Sequence, residues 1–163
     1  MNISIKNVDE TAFRRLKASA AEAGISIGSA VTEAIREWSE KKMKISIGIE
    51  KIIEKAKNDS DIIAVILFGS YARNESDYRD VDVALLLKNK AVDSMQKKAQ
   101  YSVSDLFDIS ILNELPLFIS SRILEEGRVL YVSDPAALED FSMKIVKEWA
   151  DFKPWFEESI RAE

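Results

Sequence analysis

Two aspartates one residue apart, Asp80 and Asp82, open an apolar run that continues to Leu87. Side chains alternate across a strand, so both carboxylates project to one face, close enough to share divalent cations, while Val81 and Val83 point into the core. A first apolar run ends in Gly69-Ser70, and nine residues separate it from Asp80. Gly69 lets the backbone approach a ligand closely, and Ser70 offers a hydroxyl and an N–H at a strand-to-helix turn, where anions are favoured. The chemistry of the pair is a nucleoside triphosphate held against two metal ions. Asp77 lies near the aspartate pair but off its alternation, and reads with Glu75 and Ser76 as a turn residue.

Composition removes the competing chemistries. The chain of 163 residues has no histidine and no cysteine, which excludes Ser-His-Asp and Cys-His catalysis, zinc fingers, disulfides and thiol redox chemistry. Carboxylates remain as metal ligands, and they suit hard ions such as Mg²⁺ or Mn²⁺. The N-terminus lacks a basic region followed by an apolar signal stretch and no run approaches a membrane span, so a soluble, cytoplasmic protein without membrane contact is expected.

The elements that must position these residues follow from periodicity. Strands are expected at Ile62 to Phe68 and at Val81 to Leu87, then a polar helical stretch to about Ser104 and a third strand carrying Asp108. A helix over Phe118 to Glu126, ended by Gly127, leads to a short strand at Val129 to Val132 and a long helix after Pro135. Trp149, Phe152, Trp155 and Phe156 near the end read as packing. Ahead of the first strand, Ile49 to Lys57 reads as an amphipathic helix, separated by a connection carrying Gly48 from the helices before it.

Gly-Ser, a short spacer and Asp-x-Asp opening an apolar strand resemble the DNA polymerase β-like nucleotidyltransferase superfamily. GSYAR most resembles its small prokaryotic branch, the minimal nucleotidyltransferases (MNT), and the resemblance covers roughly residues 48 to 160. It implies an α+β fold with a small mixed β-sheet flanked by helices. It also implies that Asp80, Asp82 and Asp108 are catalytic residues and metal ligands, with Gly69, Ser70 and Arg73 as nucleotide-binding residues. Mg²⁺ or Mn²⁺ would be the metal and ATP the donor. Minimal nucleotidyltransferases are commonly antitoxins of HEPN-domain ribonuclease toxins, silenced by transfer of AMP to a tyrosine, so the implied partner is a HEPN toxin. Two positions depart from the pattern. Asn74 stands where the family usually has glycine after the arginine, and Arg79 where serine usually precedes the first aspartate.

The net charge of −5 divides unevenly. Residues 1–44 hold 8 Lys and Arg against 6 Asp and Glu, and residues 45–163 hold 15 against 22. A slightly basic N-terminal part and an acidic remainder point to different partners. Asn2, Ser4 and Lys6 alternate with Ile3 and Ile5 as in a half-buried strand. Asp9 is placed to cap a helix with Phe13, Leu16, Ala20 and Ala23 on one face, and Gly24 to end it. Ser26 is placed to cap a second helix with Ile27, Ala30, Val31, Ala34, Ile35 and Trp38 on its apolar face. About forty residues make too small a core to stand alone, so a homodimer is expected through this end.

This β-α-α order resembles the ribbon-helix-helix DNA-binding family, whose paired strands enter the major groove. The resemblance implies that Asn2, Ser4 and Lys6 read operator DNA, with the helix start at Ser26 to Ser29 on phosphate. The expected organisation is a ribbon-helix-helix module at 1–44 and a nucleotidyltransferase domain at 45–163. Two other readings stand beside it: a DNA-binding regulator with an inactive transferase domain, and a transferase acting on a small molecule or RNA.

Overall fold

The computed structural model describes residues 6–75, 78–89 and 93–161, the last three without their side chains. The expected strand with Asn2 and Ser4, and Asp77 in the turn, fall outside these residues, whereas Lys6 lies within them and is exposed. The chain divides into two compact units, residues 1–44 and 45–163.

In the first unit, helix α1 runs over Glu10–Glu22 and α2 begins at Ile27. Asp9 Oδ1 accepts from the Ala12 N–H at 2.7 Å, and Ser26 Oγ from the Ser29 N–H at 3.0 Å, so both helix starts satisfy an amide left over by helix geometry. Between them Gly24 takes φ 66°, the left-handed conformation that ends a helix at little cost. Within the unit Ala20 and Ala30 are buried, but Phe13, Ile35 and Trp38 remain 40%, 52% and 64% exposed. With Val8, Leu16 and Val31 they line an apolar groove of about 760 Å³.

Helix α2 continues without a break to Lys57, which corrects the expectation of a connection around Gly48 and a separate helix after it. The segment from Arg36 to Lys57 has no proline and is rich in helix formers, so the single glycine costs about 1 kcal/mol and does not stop it. Gly48 has a packing reason: a Cβ there would collide with the ring of Phe107. Ile45, Ile52 and Ala56 on the same helix are buried in the second unit.

The second unit is built on a four-stranded sheet. Strands β1 (Ile62–Phe68), β2 (Val81–Leu87), β3 (Phe107–Ile111) and β4 (Arg128–Val132) lie in the order β3-β2-β1-β4. β1 pairs antiparallel with β2 and β4, while β2 and β3 are parallel. A parallel neighbour needs a crossover, and α4 (Ser94–Tyr101) lies on the connection between β2 and β3. α4 is tied down by Lys97, whose ammonium donates to Asp59 at 2.6 Å and pairs with Asp61 at 3.0 Å, and by the buried Tyr101, whose hydroxyl donates to Asp59 at 3.2 Å. Those bonds hold the Asp59 carboxyl below its ordinary value against the opposing effect of burial, while burial and the Asp59 charge push the Tyr101 phenol up.

Both faces of the sheet are covered. Val65, Leu67, Val81, Val83, Leu85 and Ile109 pack on one side with Ile45 and Ile52. Ile66, Ala84 and Leu86 pack on the other with Ile123 of α5 (Leu117–Glu126) and Leu138 and Phe141 of α6 (Pro135–Arg161). On α6 and α5 the aromatic residues pack together, Phe118 stacked on Phe156 at 5.4 Å and Trp149 edge to face with Phe156 at 5.5 Å.

Candidate active site

Register brings the carboxylates together. Asp82 pairs with Phe68 across β1 and with Asp108 across β3. Registered residues on neighbouring strands, about 4.8 Å apart, project to the same face. Val81 and Val83 are fully buried on one side of the sheet, so Asp82 and Asp108 lie on the other, the side of α5 and α6. Asp80 precedes β2 by one residue and is half-buried, Asp82 is half-buried, and Asp108 is exposed.

The Asp82 carboxyl is held above its ordinary value. Burial is the main cause, followed by the negative charges of Asp108 and then Asp80; Arg73 acts weakly in the opposite sense. Repulsion among carboxylates that share one rim is what a bound cation relieves. Among the described residues no three acidic side chains are drawn together as a ready metal cage. The donor set nevertheless fits Mg²⁺, which is usually held by one or two carboxylates with water and substrate phosphate completing its shell.

Gly69 sets the other wall. Its φ of 73° is the left-handed region, and a Cβ at this position would collide with the Asp82 carboxylate. Glycine is therefore required twice, by the turn and by the carboxylate that lies over it. Ser70 follows in α3 (Gly69–Ala72), a single turn whose first amides have no intrahelical acceptor. The turn closes with Asn74 at φ 59°. Asparagine is the residue that tolerates this conformation best after glycine, so the departure at Asn74 keeps the backbone a glycine would give. Tyr71 and Tyr78 meet edge to face at 4.9 Å.

Arg73 lies at the end of this turn and is turned toward acidic partners. Its Nε donates to Glu75 at 2.6 Å and an Nη to Glu126 of α5 at 3.4 Å, and the Glu75 bond is the chief reason its pKa is raised. Arg122 donates from Nε to both Glu126 oxygens at 3.2 Å. Phe68, Gly69, Arg73, Phe118, Arg122 and Glu126 line a groove of about 350 Å³ beside the carboxylates. Arg122 and Glu126 carry no signal in the sequence beyond an i,i+4 charge pair, which most solvated helices have.

A candidate protein adenylyltransferase of Methanocaldococcus jannaschii is 31% identical over 97 residues, 58% of this chain and 75% of its own length. The fold is shared with a chain from a toxin-antitoxin complex with AMP-PNP, at TM-score 0.52 and 16% identity over 69% of this chain and 96% of that one. It is shared too with a chain from the complex of a tri-AMPylated Shewanella oneidensis HEPN toxin and its MNT antitoxin, at TM-score 0.51 and 18% identity over 71% and 98%. The family described as polymerase beta, nucleotidyltransferase, matches residues 50–136, from the last turns of α2 through all four strands with the Gly69-Ser70 turn and the three aspartates, and the chain belongs to that family.

Proposed function

We propose that the protein transfers AMP from ATP to a hydroxyl of a partner protein, a tyrosine of a HEPN-domain toxin, and so acts as the antitoxin of that pair. The observation that carries the reading is the seating of Gly69 against Asp82, with Asp108 beside it in register. A phosphate-approaching turn and acidic residues on one sheet face are what an in-line displacement at phosphorus needs. Divalent metal, when bound to Asp80, Asp82 and Asp108, would supply charge stabilisation for the entering and leaving oxygens.

The chain's own residues divide the remaining work. Amides of the Gly69-Ser70 turn and the Ser70 hydroxyl bind the triphosphate, and Arg73 offsets its charge. The acceptor hydroxyl attacks the α-phosphorus, the bond to the bridging oxygen breaks, and pyrophosphate leaves. With no histidine in the chain, the hydroxyl proton goes to Asp108, the most exposed of the three carboxylates, or to solvent.

Two further assignments complete the proposal. Residues 1–44 pair with a second copy of the chain through an N-terminal ribbon, and the module binds operator DNA through Asn2, Ser4 and Lys6, which would let the antitoxin regulate its own operon. The exposed Phe13, Ile35 and Trp38 support the pairing. The test of the activity is incubation of labelled ATP with a HEPN partner, followed by mapping of the labelled residue. Label on a HEPN tyrosine with wild-type protein and none with the Asp80→Ala, Asp82→Ala double variant is the expected result. Equal labelling by both would overturn the assignment of the two aspartates, and no label with wild-type protein would make a DNA-binding regulator with an inactive transferase domain the better reading.

A further inference from the structure

We infer that Arg122 joins Arg73 in a clamp for the β- and γ-phosphates of the nucleotide, and that Glu126 competes with the phosphates for the same two guanidinium groups. The inference rests on the nucleotidyl-transfer reading of the same site and adds to it two residues of α5. Two guanidinium groups from different elements, one after α3 and one on α5, converge on a single carboxylate. Glu126 Oε2 lies 3.4 Å from an Arg73 Nη, and both its oxygens lie 3.2 Å from Arg122 Nε. A carboxylate held between two arginines marks a position where a phosphate group is accepted on the same donors.

The position along the site fits a polyphosphate. The groove lined by Arg73, Arg122 and Glu126 includes Gly69, whose backbone abuts the Asp82 carboxylate. A triphosphate with its α-phosphate near Asp82 and its tail on the Gly69-Ser70 turn therefore reaches Arg73 first and Arg122 next. Glu126 can be displaced because its pairs are solvent-accessible: the Arg122 and Glu126 side chains are 63% and 39% exposed. Such pairs contribute little to stability, whereas a phosphate anchored at the carboxylate rim arrives at high local concentration. Arg122 is accordingly a positioning residue that discriminates triphosphate from monophosphate, and Glu126 is a built-in competitor for the same donors.

Titration calorimetry of the full chain with ATP and with AMP, each with Mg²⁺, tests this. Arg122→Ala is expected to weaken ATP binding about tenfold and to leave AMP binding unchanged within twofold, with Arg122→Lys recovering part of the loss. Glu126→Gln is expected to tighten ATP binding several-fold, again with AMP unchanged. An ATP to AMP affinity ratio that Arg122→Ala leaves at its wild-type value, or Glu126→Gln weakening ATP, would overturn the clamp while ATP binding by the wild-type protein still upholds the site itself. Wild-type protein that binds neither nucleotide would overturn both. Thermal unfolding of each variant, expected within about 1 °C of wild type for exposed pairs, separates loss of the clamp from loss of fold.

Discussion

The two units dispose of their apolar residues in opposite ways. In residues 45–163, Ile62, Val65, Leu67, Val83, Leu85 and Leu86 are completely buried, and each face of the sheet has its own layer. In the described residues of the first unit, only Ala20 and Ala30 are buried, and the large side chains of Phe13, Ile35 and Trp38 stay on the surface. Regular hydrogen bonding and good caps are thus present in both, but only one unit gains the burial that offsets the entropy of ordering its chain. The difference teaches that the sheet unit is self-sufficient in burial, whereas among its described residues the helical unit leaves its large apolar side chains on the surface.

The largest expected effect breaks chemistry from folding in the self-contained unit. Replacing Asp80 and Asp82 by alanine should remove several kcal/mol of transition-state stabilisation, about a thousandfold or more in transfer rate. The far-ultraviolet circular dichroism should not change, since neither carboxylate belongs to the core. Rates from labelled ATP and the spectrum together check this; an unfolded double variant would mean that the acidic rim is structural.

The helical unit is tested by its association. Trp38→Glu places a charge in the apolar groove of α1 and α2, and should weaken self-association by about 2–4 kcal/mol if Trp38 is an anchor of the contact. Sedimentation or light scattering at micromolar concentration should find wild type dimeric and the variant shifted to monomer, with adenylyl transfer by the sheet unit retained. A wild-type monomer would remove the homodimer proposal and with it the reason for the exposed tryptophan.

A smaller effect concerns the same unit's proposed DNA contact. Lys6→Ala should lower discrimination between an upstream inverted repeat and scrambled duplex by about 1–3 kcal/mol, whereas Arg14→Ala should weaken both and reduce the salt slope. Arg14 is 77% exposed and, among the described residues, pairs with Glu10 of its own helix at 2.6 Å, so its removal disturbs little packing. Fluorescence anisotropy at two salt concentrations separates the two; unchanged preference in Lys6→Ala would leave the unit as a dimerisation device.

Legibility in the sequence followed the range of the interactions. β1 and β2 are readable because their apolar runs are continuous and bounded by Asn58 to Ser60, Gly69-Ser70 and the aspartates, and a sheet covered on both faces demands such runs. The caps Asp9 and Ser26 and the left-handed Gly24 are local and equally legible. The continuity of α2 is not, because what makes Gly48 acceptable is the ring of Phe107 far along the chain. The site divides in the same way. Asp80 and Asp82 announce themselves by spacing, while Arg122 and Glu126 acquire meaning only when α5 is laid beside the Gly69 turn. The Lys97, Asp59 and Tyr101 cluster is a third case: its members are ordinary polar residues until the crossover brings α4 onto the start of β1.

The smallest expected effect concerns the stability cost of the Asp82 charge. Asp82 has its pKa raised in the folded protein, first by burial and then by Asp108 and Asp80. The folded state therefore binds this proton more tightly than the unfolded chain does. Stability from Asp82 is greatest when it is protonated and is lost as pH rises from the unfolded-state value, about 3.9, through the higher folded-state value. Asp82→Asn should accordingly melt higher than wild type at pH 7, by at most about 2–4 °C given solvent screening at a half-buried site. The difference should vanish below the unfolded-state value, where both side chains are neutral. Mg²⁺ should reverse the order, because an ion that binds the native state stabilises it by mass action, about 2.7 kcal/mol at a hundred times the dissociation constant. The asparagine variant loses that gain. Melting curves at pH 3 and 7, with and without Mg²⁺, give all four comparisons, and a variant that melts below wild type at pH 7 without metal would show that Asp82 is kept for its contact with Gly69 and not in spite of its charge.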